Sequence, residues 1–325
     1  MPRDFLIDTD TASDDAVALI MALRAPDVRV RAITIVAGNV PVEQATRNAL
    51  YVAGLCGSDA PVYRGARGPI WREHAHAEWF HGKDGLGDHD YPLPARAAEP
   101  EYAADAIVAT VRAHPGIVLV TLGPLTNVAL ALVKAPEIAG MVGRCVVMGG
   151  NPCCEGNVTP AAEYNMWVDP DAARTVLRSG LPIELVGWHL CRCGAVLDAG
   201  DIEHVLSLDT AVARFAVECN SRARQAYKIQ TGEDGISLPD PVAMCVALDP
   251  AVCRSVGRHY VDVEVSSELT RGMTVVDKLG VVEDERNRAV WATVIDHVPP
   301  AQVVWSIDNG RWKQALYSAL SDHGR

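Results

Sequence analysis

Three kinds of signal are missing from this sequence, and each absence excludes a class of protein. There is no block of basic residues, and with a formal net charge of -12 the chain is not expected to bind nucleic acid. No apolar run approaches the roughly 18 residues that span a bilayer, so no membrane partner is expected. The N-terminus lacks the basic region and long apolar core of a secretory signal, which predicts a cytoplasmic protein.

The nine cysteines also lack the pattern of a disulfide framework or a zinc site. An odd number in a chain of 325 residues favours free thiols in a reducing cytoplasm. The two tight groups, Cys153-Cys154 and Cys191–Cys193, do not have the usual spacing of a zinc knuckle. We therefore expect the cysteines to pack as small apolar residues.

The composition and patterning of the chain predict one α/β domain. Hydrophobic residues make up 49% of the sequence and charged residues 22%, which is ordinary for a globular protein with a sizeable core. Without a repeat, a low-complexity tract or a linker, residues 1–325 form a single predicted domain. Apolar runs of strand type alternate with helical patterns, which predicts one open, mostly parallel, doubly wound sheet with helices on both faces.

The last third of the sequence has a different pattern. A helical stretch is predicted over residues 212–227. Segments of β type follow at 260–265, 274–277 and 302–307, and a terminal helix is predicted over 310–320.

The most informative stretch is the first twenty residues, where four carboxyl groups lie between a predicted strand and a predicted helix. They belong to Asp8, Asp10, Asp14 and Asp15. This junction is at the carboxyl edge of an open α/β sheet, where ligands bind. One carboxylate could cap the helix, but four together repel one another unless a cation or a shared proton neutralises them. Because no Cys or His is among them, we predict a hard divalent cation, Ca²⁺ or Mg²⁺.

Other polar groups lie at strand ends or in two long loops. Asn39 follows a predicted strand, and Asp240 lies where a later helix begins. The irregular segment from about Gly68 to Pro100 contains His81, and we interpret it as a substrate-facing loop rather than a metal site. The loop Asn157–Asn165 carries amides and a carboxylate suited to the vicinal hydroxyls of a sugar. With a hard cation, this loop suggests a bound polyol.

Taken together, these motifs resemble the nucleoside hydrolase (inosine-uridine preferring) family. Asp8–Asp10 followed by Asp14-Asp15 is similar to its N-terminal aspartate signature. Five further elements match in order: Gly38-Asn39, His81–Gly87, Gly123–Asn127, Met148–Gly150, and Asn157–Asn165 followed by Asp169-Pro170. The resemblance extends from the first strand to at least Asp240. It implies the Rossmann-like nucleoside hydrolase fold and Ca²⁺-dependent hydrolysis of purine or pyrimidine ribonucleosides to ribose and free base.

The resemblance also implies a role for each matched residue. The Ca²⁺ ligands would be Asp10, Asp15, Asp240 and the backbone carbonyl of Thr126. The ribose would be bound by Asp14, Asn39, Asn157, Glu163 and Asn165. Asp10 would be the general base on a metal-bound water, and direct attack by water predicts inversion at the anomeric carbon. The expected partner is a small-molecule nucleoside, and the expected assembly is a homodimer or homotetramer.

Two departures from the family pattern affect this interpretation. Thr11-Ala12 stands where the family usually has Pro-Gly, which alters the turn but removes no ligand. Pro239 stands where many members have a histidine before the metal aspartate, and proline has no proton to give to a departing base. The candidates to assist the departing base are His81, Trp188 and His189, together with Tyr227 as a substrate contact.

Two other functions stay open on the sequence. A haloacid-dehalogenase-like phosphatase would use Asp8 as nucleophile, Asp10 as acid and Mg²⁺ as cofactor, because Asp8–Thr11 also resembles that motif. It leaves the loop Asn157–Asn165 and the segment His81–Gly87 unexplained. A non-catalytic, Ca²⁺-dependent ribose or nucleoside binder would keep all the implied ligands. Asp10→Asn separates an enzyme, which loses turnover, from a binder, which changes only in affinity.

Overall fold

The computed structural model describes residues 2–295 and 299–322. In this part of the chain there are twelve strands: β1 (Arg3–Thr9), β2 (Val28–Ile35), β3 (Val62–Arg64), β4 (Val118–Thr121), β5 (Arg144–Met148), β6 (Ile183–Val186), β7 (Val196–Leu197), β8 (Ile236–Ser237), β9 (Cys253–His259), β10 (Val261–Val263), β11 (Thr274–Val276) and β12 (Ala301–Ile307). Eight of them form the central sheet, while β7 pairs with β8 and β10 pairs with β11.

The described residues also form fourteen α-helices. They are α1 (Ser13–Leu23), α2 (Val42–Leu55), α3 (Glu78–His81), α4 (Ala103–Ala113), α5 (Thr126–Lys134), α6 (Tyr164–Val168), α7 (Pro170–Leu177), α8 (His189–Arg192), α9 (Ala199–Ser207), α10 (Ala211–Glu218), α11 (Ser221–Thr231), α12 (Pro239–Leu248), α13 (Glu285–Ile295) and α14 (Asn309–Leu320). Short 3₁₀ turns cover Pro136–Gly140, Pro250–Val252 and Val281–Glu283. None of the helices described combines the length and the hydropathy that a bilayer crossing requires.

The order of the central sheet places a switch point beside β1. The strands run in the order β3-β2-β1-β4-β5-β6-β12-β9. Neighbours are parallel except β12 and β9, which are antiparallel. The chain moves outward from β1 to β3 and then returns to place β4 on the other side of β1. Ligands bind at such a switch point, here the carboxyl ends of β1 and β4. The predicted doubly wound α/β sheet is confirmed.

Helices cover both faces of the sheet, as predicted. Phe5 and Ile7 of β1 pack in one cluster with buried residues of α1, α2, α12 and α14. Leu6, between them, packs in a second cluster with α4, α5 and α7. Successive side chains of a strand point to opposite faces, so a strand covered on both sides is apolar at every position. This explains the unbroken apolar run at the start of the sequence.

Most predicted elements are confirmed with ends shifted by a few residues, but in the last third one predicted helix is broken and one strand was not predicted. The helix predicted over 212–227 is broken at Asn220, a fully buried residue whose Nδ2 donates to the carbonyls of Ala216 (2.9 Å) and Ser13 (3.2 Å). The antiparallel strand β9 was not predicted. It is an exposed edge strand, so it lacks the apolar alternation that marks a strand packed on a core.

The nine cysteines are free thiols, as predicted. Four of them, Cys145, Cys191, Cys219 and Cys245, are buried within the apolar clusters. Burial raises the pKa of Cys191 to about 12, so this thiol stays protonated and packs as a small apolar group.

The guanidinium group of Arg144 holds the far end of the helix that carries Asp240, and Arg3 adds one hydrogen bond to the Ala247 carbonyl there. Arg144, at the start of β5, donates to Glu184 of β6 through Nε (2.7 Å) and a terminal nitrogen (2.8 Å). It also donates to the carbonyls of Val246 (3.1 Å) and Ala247 (3.0 Å) near the end of α12. A cation is favourable at a helix C-terminus. Because this end of α12 is held by β5, its first turn, with Asp240, stays at the carboxyl edge of the sheet.

We predict that Arg144→Leu lowers the free energy of unfolding by about 2–4 kcal/mol, because half-buried Glu184 and the Val246 carbonyl lose their donor and the Ala247 carbonyl keeps only Arg3. The matched control is Arg112→Leu, which breaks an ion pair with Glu137 whose two side chains are 55% and 54% exposed. That variant should lose much less stability than Arg144→Leu, because exposed ion pairs contribute little. Urea denaturation measures the free energy of unfolding of both variants. An equal decrease in the two would contradict the role given to Arg144.

Candidate active site

A cluster of carboxyl groups lies at the switch point. Asp10 follows β1, Asp14 and Asp15 lie in the first turn of α1, and Asp240 lies in the first turn of α12. Oxygen atoms of Asp14, Asp15 and Asp240 lie within 4.8 Å of one another. The amino ends of two helices therefore meet at the cluster, and their partial positive charge offsets part of the repulsion between the carboxylates.

The carboxyl oxygens of this cluster are only partly hydrogen-bonded. Asp15 Oδ1 accepts from the Thr9 hydroxyl at 2.5 Å, and Asp10 Oδ2 accepts from the backbone N–H of Asn39 at 2.6 Å. Oδ1 of Asp10 and Oδ1 of Asp14 are buried without a hydrogen-bond partner among the described residues. Buried oxygens without donors are costly unless something positive binds them.

Burial raises the pKa of each carboxyl group in the cluster, and repulsion by neighbouring carboxylates adds to this effect for Asp10, Asp14 and Asp240. Burial, together with the charge of Asp15, raises the pKa of Asp14 to about 8. The same two causes raise the pKa of Asp10 well above its usual range. For Asp240 the pKa is also raised well above the usual range, by burial and then by Asp14, Asp15 and Asp10. The carboxyl groups cannot all ionise without a compensating charge, and this all-oxygen set fits a hard divalent cation.

Two glycines allow the backbone to approach Asp10 from both sides. A Cβ added at Gly38 would lie 2.0 Å from Asp10 Oδ2, and one added at Gly123 would lie 2.6 Å from Oδ1. Both glycines lie in the turns that follow the two strands flanking β1. Any other residue at these positions would place its Cβ against the carboxyl group of Asp10. Thr126 begins α5 a few residues later, and its hydroxyl donates to Asp169 Oδ2 at 2.7 Å.

The fourth aspartate of the N-terminal motif, Asp8, which the sequence analysis grouped with Asp10, Asp14 and Asp15, does not belong to the cluster. Asp8 is fully buried within β1, and its Oδ2 accepts from the Thr34 hydroxyl (2.6 Å) and from Asn127 Nδ2 (2.9 Å). Burial raises the pKa of Asp8 to about 7. Its carboxyl group joins β1 to β2 and α5. A carboxyl group in this position cannot reach a substrate. The phosphatase interpretation, which needs Asp8 as nucleophile, is therefore not retained.

A cavity of about 280 Å³ opens next to the carboxyl cluster. Its lining includes eight residues that the sequence assigned to the site: Asp14, Asn39, His81, Asn157, Glu163, Asn165, Trp188 and Asp240. Asp10 and Asp15 are fully buried behind them. The structure therefore brings together residues that are spread over more than 200 positions of the sequence.

The polar groups of the loop 157–165 are fixed by backbone hydrogen bonds. Glu163 caps α6, with Oε1 accepting from Asn165 N at 2.9 Å and Oε2 accepting from Gly150 N at 2.7 Å. Asn165 Nδ2 donates to the Leu122 carbonyl at 2.8 Å, and Asn157 Oδ1 accepts a backbone N–H at 2.9 Å. These side chains are held in place without a ligand, so they can orient a substrate at little entropic cost.

His81 ends α3 at the wall of the cavity. Its Nδ1 lies 2.8 Å from the Ser13 hydroxyl and 3.8 Å from Asp14 Oδ1. Burial lowers the pKa of His81 to about 3, so the imidazole is neutral at physiological pH. The segment interpreted as a substrate-facing loop supplies His81 and several neighbours to the cavity lining.

His189 and Tyr227 do not line the cavity. His189 Nε2 lies 2.9 Å from the Val304 carbonyl, and the imidazole packs against Trp305 with ring centroids 5.6 Å apart. Tyr227 is fully buried, and its hydroxyl donates to Glu233 at 2.7 Å. These positions do not support the predicted catalytic role of His189 or a direct substrate contact by Tyr227.

Sequence reasoning missed the aromatic wall of the cavity. Besides Trp188, the aromatic residues of the lining are Trp79, Phe80, Tyr164 and Trp167. Their one signal in the sequence is that they lie in the two irregular loops of the chain. Gln230 of α11 was also missed, and its Nε2 donates to the Asn157 carbonyl at 2.5 Å across the cavity mouth.

Fold and site together define the class: an α/β protein that binds a small molecule at the carboxyl edge of a doubly wound sheet. The particular family follows from comparison with known proteins. The sequence model described as inosine-uridine preferring nucleoside hydrolase matches residues 5–314. The chain belongs to this family of enzymes, which hydrolyse the N-glycosidic bond of ribonucleosides.

Individual relatives support the assignment along almost the whole chain. The pyrimidine-specific ribonucleoside hydrolase RihA of Salmonella enteritidis is 36% identical over 298 residues, covering 90% of this chain and 94% of that protein. The solved structure titled plant nucleoside hydrolase PpNRh1 has a TM-score of 0.90 at 31% identity, covering 99% and 100% of the chains. The purine-preferring ribonucleoside hydrolase from Gardnerella vaginalis has a TM-score of 0.88 at 31% identity, covering 99% of each chain.

We predict that Gly38→Ala lowers the free energy of unfolding by about 1–3 kcal/mol, because the added methyl group overlaps the carboxyl group of Asp10. Gly54→Ala, in α2, is the matched control, since nothing lies within 4 Å of its Cβ position. That variant should be neutral or gain up to about 1 kcal/mol from its helix propensity. Thermal unfolding compares the two, and a Gly38→Ala protein as stable as the control would contradict the steric argument.

Proposed function

We propose that this nucleoside hydrolase family member requires Ca²⁺ and cleaves ribonucleosides to ribose and free base, with Asp10 as general base. One observation carries the proposal: three carboxyl groups lie within 4.8 Å of one another, next to Asp10, at the wall of a cavity lined by amides. Such a group is unfavourable in an empty protein and favourable around a cation. Family membership supports the reaction, and the donor set supports the ion.

We infer that Asp10, Asp15, Asp240 and the backbone carbonyl of Thr126 would hold the Ca²⁺. The unpartnered Oδ1 of Asp10 and the all-oxygen composition of the set favour a hard ion over zinc. When bound, the ion would orient ribose hydroxyls and make a neighbouring water easier to deprotonate. Asp14, which lies in the same group of carboxyl oxygens, would accept a hydrogen bond from a ribose hydroxyl.

The side chains around the ribose would bind it and favour the transition state. Hydroxyl recognition falls to Asp14, Asn39, Asn157, Glu163 and Asn165, all of which line the cavity. Asp10 would accept the proton of the attacking water. Cleavage of a glycosidic bond passes through a cation-like sugar, and the surrounding carboxylates stabilise that charge. Direct attack by water inverts the anomeric carbon.

The second candidate function is a non-catalytic, Ca²⁺-dependent nucleoside binder, which Pro239 favours. Pro239 is in the first turn of α12 and lines the cavity, where it offers neither a side-chain proton nor a backbone N–H. A binder would keep the metal and ribose ligands and need no proton donor.

The relatives do not decide which nucleobase is preferred, since RihA is pyrimidine-specific and the Gardnerella enzyme is purine-preferring.

We propose a single domain over residues 1–325. The cytoplasmic location and the homodimer or homotetramer stay predictions.

The metal requirement is tested by reducing-sugar release from purine and pyrimidine ribonucleosides, with and without EDTA. We expect release to stop on chelation, because the buried carboxyl groups then repel one another and the sugar hydroxyls lose their ligand. Added Ca²⁺ should restore it. Turnover that persists after exhaustive chelation would contradict the metal proposal.

The role of Asp10 is tested by Asp10→Asn. We predict that this variant loses about 10²–10⁴ in kcat, because the amide cannot accept the proton of the attacking water. Nucleoside binding, followed by calorimetry in Ca²⁺, and the circular dichroism spectrum serve as controls for affinity and folding. Wild-type protein that binds nucleosides but releases no sugar would instead favour the binder.

A further inference from the structure

Two imidazole rings from the irregular segment before α3 bind one carbonyl oxygen at the carboxyl edge of the sheet. His74 Nε2 lies 2.8 Å and His76 Nδ1 lies 3.0 Å from the carbonyl oxygen of Gly38. Because a carbonyl oxygen can only accept, both ring nitrogens carry a hydrogen and donate it. The rings lie side by side, with centroids 4.1 Å apart. The Gly38 carbonyl thus accepts two hydrogen bonds, the number that its two lone pairs allow.

The other side of the same peptide group binds the proposed general base. The peptide that carries the Gly38 carbonyl also carries the N–H of Asn39, which donates to Asp10 Oδ2 at 2.6 Å. The backbone can lie so close because Gly38 has no Cβ, which would be 2.0 Å from that oxygen. A hydrogen bond accepted by a peptide carbonyl polarises the peptide and strengthens the donation by its N–H. One peptide group therefore connects the two imidazoles with Asp10.

Two further hydrogen bonds hold the segment 74–77 against this peptide. Ala77 N donates to the Asn39 carbonyl at 2.9 Å, which joins the segment to the turn after β2. The Tyr164 hydroxyl donates to the Ala75 carbonyl at 2.8 Å, which joins the segment to α6. Residues 74–77 lie between β3 and α3 and belong to no helix or strand. Tertiary contacts of this kind therefore fix the two imidazoles.

His74 acts on no substrate directly and is costly to bury. His76 lines the cavity, but His74 does not. The Nδ1 atom of His74 is buried without a hydrogen-bond partner in the part of the chain that the structure describes. Burial lowers the pKa of His74, so the ring is neutral at physiological pH and Nδ1 has no hydrogen to donate. A buried polar atom without a partner destabilises the folded protein, so packing alone does not account for a histidine here.

We propose that His74 and His76 are positioning residues for Asp10, acting through the peptide group between Gly38 and Asn39. This rests on the proposed function, in which Asp10 accepts the proton of the attacking water. The strengthened N–H bond fixes Oδ2 of Asp10, while Oδ1 stays free of hydrogen-bond donors among the described residues. Neither histidine exchanges a proton in this role.

The first test compares His74→Phe, which removes the donor, with His74→Gln, whose amide N–H lies close to the position of Nε2–H. The substrate is the ribonucleoside that the wild-type full chain cleaves fastest in Ca²⁺. We expect His74→Phe to lower kcat by about three- to tenfold and to change KM by less than about twofold. His74→Gln should recover most of the loss.

Stability should not follow kcat in these variants. We expect His74→Phe to unfold at a temperature no lower than that of the wild type, because the buried Nδ1 is removed and the Gly38 carbonyl keeps His76. A residue that only supported the fold would lose stability and activity together. A lower unfolding temperature in proportion to the loss of kcat would contradict the positioning role.

His259→Phe is the matched control. The imidazole of His259 is half-buried, its Nδ1 lies 3.0 Å from the Asp277 carbonyl, and it is outside the cavity lining. Its Nε2 also accepts from Trp305 Nε1 at 3.0 Å. This variant should unfold at a lower temperature because two groups lose their partner, and its kcat should be unchanged. The same pattern in both phenylalanine variants would contradict the inference.

Two further measurements show whether the effect passes through Asp10. In the Asp10→Asn protein, His74→Phe should change kcat by less than about twofold, because no carboxylate is left to position. The second measurement needs no turnover. In protein labelled with ¹⁵N-asparagine, the amide proton of Asn39, assigned by its absence in Asn39→Gln, should shift upfield in His74→Phe because its bond to Asp10 weakens.

These outcomes separate the inference from the proposed function. An Asn39 amide that does not shift, or a full effect of His74→Phe in the Asp10→Asn protein, would overturn the inference and leave the hydrolase intact. A His74→Gln protein as impaired as His74→Phe would also count against it. Wild-type protein that releases no sugar would overturn the proposed function, and the amide shift would still decide the inference. If His74→Phe does not fold, His76→Phe and His76→Asn repeat the comparison, since an asparagine amide lies close to the position of Nδ1.

Discussion

Like-charged carboxyl groups are buried side by side at the carboxyl edge of the sheet, and much of the fold serves to hold them there. Two helices begin at this point, so that Asp14 and Asp15 lie at one amino terminus and Asp240 at another. The partial positive charge of those termini offsets only part of the repulsion, because each helix contributes about half a charge. At the opposite edge Arg144 binds the end of α12. The position of Asp240 thus depends on a contact a full helix length away from it.

This arrangement exchanges stability for binding. Raised pKa values in Asp10, Asp14 and Asp240 mean that the folded protein holds these groups against their preference for water. Any cation that binds the folded state alone returns free energy in proportion to its concentration and affinity. The glycines around Asp10 also favour binding over stability. They leave no space for a side chain whose apolar contacts would stabilise the folded protein but fill the site.

The sequence was sufficient to predict the central sheet and most of the polar residues of the site. It did not predict the directions in which individual side chains point. A strand end predicts the edge of a sheet but does not show that Asp8, still paired with its neighbours within β1, points into the fold while Asp10, beyond the strand, faces the cluster. Trp188 and His189 are adjacent, yet one lines the cavity and the other packs on β12. The rotation of a one-turn helix is set by tertiary contacts, and no local pattern encodes it. The aromatic wall was missed for a related reason, since loops about ninety residues apart build it.

The residue before Asp240 connects the architecture with the chemistry. Proline suits the first turn of a helix, because its fixed backbone angle is helical and its missing N–H is one that the turn does not need. It thereby helps to place the carboxyl group of Asp240, but it leaves that point of the cavity wall without a proton donor. The same carboxylates that stabilise a cation-like sugar oppose the formation of an anionic base beside it.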